Sequence, residues 1–101
     1  MTFGEYIRKL REQNQLLLRE VASQINIDTA LLSKIERNTR IARKEQVQML
    51  AIVLGENEEE LLQLWMADKI VNMLKKENNS EEILKIAEMK IKNLTNKKAA
   101  N

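Results

Sequence analysis

Cysteine, histidine and proline are all missing from this 101-residue sequence, and glycine occurs only at positions 4 and 55. Without cysteine there is no disulfide framework and no thiolate metal site. Without histidine, imidazole metal sites and a histidine general base are excluded as well. No glycine-rich phosphate loop and no paired pocket carboxylates stand out, so the expectation is a protein that is not an enzyme and needs no cofactor or metal. Aromatic residues are reduced to Phe3, Tyr6 and Trp65, which leaves the core to leucine, isoleucine, valine, methionine and alanine. No apolar run approaches the roughly 20 residues that span a bilayer, and the opening residues have no signal-peptide pattern. A soluble, cytoplasmic protein with no membrane partner is expected, with room for one compact domain and a helical extension.

What remains is rich in leucine, glutamate, lysine, glutamine and arginine, strong helix formers in long stretches without a breaker. The fold class expected is therefore all-α. The formal net charge of +2 conceals segregation along the chain. Residues 1–50 hold nine Lys/Arg against six Asp/Glu, residues 51–68 hold five acids and no base, and residues 69–101 hold eight lysines against four acids. Local fields therefore matter more than the total.

The helical pattern divides into six segments. Thr2, with Glu5 three residues on, has capping-box spacing and opens a helix to about Gln13, with Phe3, Ile7 and Leu10 inward. A second begins near Leu17 or Leu18 and turns Val21, Ala22 and Ile25 inward. Asn26 suits a left-handed turn, Ile27 plugs the core, and Asp28 offers its carboxylate as N-cap to a third helix carrying Leu32 and Ile35 inward. Residues 39–43 read as a basic loop. A fourth helix spans Lys44 to Leu54, with Gly55 as its stop. Asn57 caps a fifth that runs to Lys75 or Lys76 behind Glu58, Glu59 and Glu60. Ser80 caps a sixth, expected to fade near Asn93. The domains expected are 1–56, a helical extension at 57–95, and a frayed tail at 96–101.

The segment from Leu18 to Asn38 carries the chemistry. Two short helices meet at a tight turn, small Ala22 sits where they cross, and Ile27 and Leu32 lock the angle, so the second helix projects its outer face. Here the sequence resembles the phage-repressor-like (Cro/XRE) helix-turn-helix regulators, including restriction–modification controller-like proteins. The likeness begins at Phe3-Gly4-Glu5-Tyr6-Ile7-Arg8-Lys9-Leu10-Arg11, continues through Leu31-Leu32-Ser33-Lys34-Ile35-Glu36-Arg37-Asn38, and covers residues 3 to about 64. It implies a lambda-repressor-like helix-turn-helix bundle, with two additional C-terminal helices in this chain. It also implies a structural ion pair between Arg11 and Glu36. Three departures stand out: Leu17 replaces the usual Ser or Thr cap, Asn38 stands for glycine, and Ala42 stands for proline, which makes the following loop less rigid.

With Leu32 and Ile35 inward, the outer face of the third helix presents Thr29, Ala30, Ser33 and Lys34, the expected contacts to base edges. Arg37, Arg40, Arg43 and Lys44, with Arg19 from the second helix, are the expected contacts to phosphate. A charge run is ordinarily only a solvated face; its attachment to this motif is what favours phosphate.

The last third carries more apolar surface than one stripe needs. Leu61, Leu62, Trp65, Met66, Ile70 and Met73, followed by Leu84, Ala87, Ile91 and Leu94, are expected to form a homodimer interface. The bland alternative is that these helices fold back and complete their own core. The function expected is a sequence-specific DNA-binding transcriptional regulator, a dimeric repressor or autoregulator of a restriction–modification or phage-type operon, controlled by its own concentration. The alternative is an antitoxin that binds its own promoter and grips a toxin through its C-terminal helices.

Overall fold

The computed structural model describes the backbone of residues 1–100 and the side chains of residues 1–97, and all regular structure among them is helical. The helices are α1 (Phe3–Gln13), α2 (Leu18–Gln24), α3 (Thr29–Glu36), α4 (Lys44–Leu54), α5 (Glu58–Leu74) and α6 (Ser80–Ala100). They fall into two units, Met1–Lys69 and Ile70–Asn101.

Local chemistry explains most of the boundaries in the first unit. Thr2 accepts the Glu5 backbone N–H through its hydroxyl while the Glu5 carboxylate accepts from the Thr2 N–H, a reciprocal cap on α1. Leu17 has no side chain with which to cap α2, but its N–H donates to Glu20 Oε1 at 2.8 Å, so half of the reciprocal arrangement survives. Gln46 does the same for the N–H of Arg43 at the start of α4. Asp28 occupies the N-cap position of α3, yet its side chain makes no capping bond, contrary to expectation. Four residues turn the chain through the left-handed region: Gln15, Asn26, Asn38 and Gly55. Asn26 and Asn38 are among the few non-glycine residues that enter it cheaply; Gln15 is the position that sequence pattern does not reveal.

The core of this unit joins all four short helices and the beginning of α5. Ile7, Val21, Leu32, Ile35, Val47, Leu50 and Leu61 are its largest fully buried side chains, each contributing about 1.5–3 kcal/mol from burial. α3 packs on both α1 and α2, and α4 packs on the same two helices. Leu61 and Trp65, expected at a dimer interface, are instead buried in this core. For the same reason the division between units falls after Lys69 rather than after residue 56.

The second unit contains the end of α5 and all of α6. The fifth helix stops at Leu74, and α6 begins at Ser80 itself, with the Asn79 carbonyl accepting the Ile83 N–H at 3.0 Å. Asn79 therefore holds the cap position expected for Ser80. α6 continues to Ala100, beyond Asn93. Of the tail expected at 96–101, Asn101 lies outside the described residues.

Candidate nucleic-acid interface

α3 is held so that one face is committed to the core and the other is left wet. Leu32 and Ile35 point inward and are buried. Thr29, Ala30 and Lys34 are exposed, and Ser33 is half-buried beside them. The outer face thus offers a hydroxyl with its methyl, a second methyl, another hydroxyl and one ammonium. Those groups match the donors, acceptors and thymine methyl along a major groove. Only Lys34 has a long reach.

Three devices fix the direction in which that face points. The first is an ion pair. Arg11 on α1 donates to Glu36 on α3 through Nε at 2.8 Å and Nη2 at 3.0 Å, while its Nη1 donates to the Leu16 carbonyl at 3.0 Å. The Glu36 side chain is only 5% exposed and that of Arg11 14%, so a single guanidinium ties α1, the α1–α2 turn and α3 together in a poorly solvated place. The hydrogen bond to Glu36 raises the Arg11 pKa above its ordinary value, with burial opposing it.

The second device lies at the exit of α3. Asn38, with φ of 62°, aims its side chain back at the start of α1. Its Oδ1 accepts the Gly4 N–H at 3.3 Å, and its Nδ2 donates to Thr2 Oγ1 at 2.6 Å. Gly4 is what allows this approach. A Cβ there would come within 2.7 Å of both Asn38 Oδ1 and the Glu36 carbonyl, and closer still to the carbonyl of Ile35. Spacing alone did not single out Gly4; the only hint was a glycine inside an otherwise regular helix.

The third device concerns the basic loop. Ala42 is buried, and its carbonyl accepts the Trp65 Nε1–H at 2.9 Å. Lack of proline at this position therefore does not leave the loop unanchored: an indole from α5 holds it. Trp65 in turn carries Lys69 over its ring at 4.2 Å. α5 is tied back again where Asp68 Oδ2 accepts the Phe3 N–H at 2.6 Å.

Around this frame Arg19, Arg37, Arg40, Arg43 and Lys44 are all exposed. Arg37 follows α3 directly and turns its Nε to the Ser33 carbonyl at 3.3 Å. Thr39 closes the exit by donating to the Lys34 carbonyl from its backbone N–H at 3.0 Å and its hydroxyl at 3.2 Å. Residues 28–44 hold five basic and two acidic side chains, and Glu36, one of those two acids, is consumed by Arg11. The wet charge beside α3 is therefore more positive than the count suggests. On the other side of the expected dimer set, Leu62 is half-buried against the core, whereas Met66, Ile70, Met73, Leu84, Ile91 and Leu94 are exposed and Ala87 is half-buried.

A family model described as a helix-turn-helix domain matches residues 4–65. No curated protein matches the chain. The matched span ends at Trp65, the residue that closes the core over the basic loop.

Proposed function

This chain belongs to the helix-turn-helix domain family, and from that premise we propose that it is a sequence-specific, dimeric transcriptional regulator that reads operator DNA with α3. One observation carries the reading: the outer face of α3, with Thr29, Ala30, Ser33 and Lys34, stands free beside an anchored basic segment while its inner face is locked into the core. The four side chains take the base edges of the major groove. Arg37, Arg40, Arg43 and Lys44 take phosphates and set register, and Arg19 joins them from the start of α2.

The reading face is short on long polar side chains, so discrimination per half-site is modest, and two heads on one operator supply what one lacks. A pseudo-palindromic operator with half-sites about one helical turn apart fits a two-fold protein. Repression or autoregulation in the manner of a restriction–modification controller, inside the cell and set by protein concentration, is the role proposed. An antitoxin would bind its promoter through the same face but purify as a heteromer with its toxin.

Selection of bound sequences from a random duplex pool tests the reading. An enriched inverted repeat is expected, with each half contacted by one α3. Recovery of no preferred sequence, with binding set by salt alone, would overturn it.

A further inference from the structure

α6 is a 21-residue helix with no buried residue among its described side chains. Of the fourteen large hydrophobic side chains exposed among the described residues, nine lie between Met66 and Leu94. A helix of this composition left wet is a liability, since its stability ordinarily comes from packing its apolar face. Within the second unit, the end of α5 and α6 border an open groove of about 640 Å³. Ile70, Met73 and Leu74 wall it on one side, and Leu84, Ala87 and Ile91 on the other.

We propose that this groove is filled by α6 of a second copy of the chain, running antiparallel to the first. The inference rests on the dimeric reading above and assigns its surface. Two features favour a second copy over a foreign helix. The apolar stripe Leu84, Ala87, Ile91 and Leu94 is symmetric about Met89, with residues two and five positions to either side. A two-fold axis at that level sets Leu84 against Leu94 of the partner subunit, and small Ala87 against Ile91 of the partner subunit, as a self-complementary contact requires. The charge along α6 is also divided. Residues 80–89 hold Glu81, Glu82 and Glu88 against Lys85, and residues 90–97 hold Lys90, Lys92 and Lys97 with no acid. An antiparallel copy brings the acidic half toward the basic half, whereas a parallel copy stacks lysines beside lysines. Glu88 and Lys92 already pair within one helix at 3.1 Å, on the exposed surface at the edge of the groove.

The chain has no cysteine of its own, so single cysteines report the pairing directly. Full-length Leu84→Cys and Leu94→Cys variants are mixed and mildly oxidised, with and without urea. The expected product is a covalent dimer of one of each, lost in urea. Leu94→Cys alone is expected to stay unlinked, because its two copies lie about 15 Å apart along the helices, beyond disulfide reach. Efficient linking of Leu94→Cys to itself would mean a parallel pair and overturn the proposal. In sedimentation, Ile91→Lys is expected to weaken dimerisation at least tenfold. A dimer unchanged by Ile91→Lys and unlinked by the cysteine pair would place the interface elsewhere, sinking this inference while the dimeric reading stands. A wild-type chain monomeric at tens of micromolar would sink both, and binding to a single half-site would still report separately on α3.

Discussion

The two units of this chain use the same side chains to different ends. Met1–Lys69 buries leucine, isoleucine and valine from five helices around one core, whereas α6 leaves Leu84, Ile86, Ile91 and Leu94 in solvent. Helical periodicity reads alike in both, because spacing reports only which residues share a face. Whether that face is covered depends on what stands opposite it. In the first unit the cover is supplied by the chain itself, down to Leu61 and Trp65. In the second, the described residues supply no such cover for Leu84, Ile86, Ile91 and Leu94.

Truncation separates the two environments most sharply. Leu32→Ala, at a side chain with no exposure, is expected to destabilise the fold by about 4 kcal/mol. Leu94→Ala, on the wet face of α6, is expected to leave the first unit's denaturation midpoint unmoved while loosening the dimer. Urea titration followed by Trp65 fluorescence reads both. Equal losses at the two sites would erase the distinction between a closed core and an open one.

Much of the first unit was legible in the sequence because its signals are local. The Thr2–Glu5 cap, the left-handed Asn26, Gly55 as a stop and the inward stripes of α1 to α4 each depend on residues a few positions apart. What escaped depends on distant partners. Nothing near Trp65 announces that its indole will meet the Ala42 carbonyl, so Trp65 and Leu61 read as surplus apolar surface. Asp28 had the chemistry of a cap without the geometry. Gly4 was visible as a residue, but the closeness of the α3 exit that demands it was not. The exposed outer face of α3 followed once Leu32 and Ile35 were placed inward, since the two faces of a helix are complementary.

The Arg11–Glu36 pair tests whether α3 is held by packing alone. Glu36→Ala leaves a poorly solvated guanidinium unpaired and is expected to cost about 3 kcal/mol of stability. It should also weaken operator binding, although Glu36 is buried away from the outer face of α3. Differential scanning calorimetry and fluorescence anisotropy, run on one preparation, measure both; an unchanged melting temperature would mean that α3 is oriented without the pair.

Smaller effects are expected on the wet face. Lys34→Ala should reduce affinity for the selected operator by about 1–3 kcal/mol and spare random DNA; an equal loss on both would reassign Lys34 to phosphate. Arg43→Ala should weaken all duplexes alike and reduce the slope of log affinity against log salt by about one. An unchanged slope removes Arg43 from the backbone contacts.

The smallest effect belongs to Tyr6, whose hydroxyl donates to Glu56 Oε2 at 3.1 Å. That bond, together with burial and the charges of Glu56 and Glu60, raises the phenol above its ordinary value of 10.0. The folded state thus holds this proton more tightly than the unfolded state does. Its stabilisation is complete below pH 10.0 and is lost as pH rises through the raised value. Tyr6→Phe is expected to cost about 0.5–1 kcal/mol at neutral pH and to flatten the loss of stability at alkaline pH. A parallel alkaline decline in both proteins would show that other groups cause it.

The most direct measurement of α3 as the reading element is reselection with its outer face replaced. Exchanging Thr29, Ala30, Ser33 and Lys34 for other exposed polar residues should change the base sequence recovered in each half-site while the inverted-repeat spacing stays the same. Exchanging Arg40 and Arg43 should lower affinity and recover the original sequence. If the α3 exchange returned the original half-site, DNA would be read by another part of the molecule, and the role assigned to α3 would be wrong.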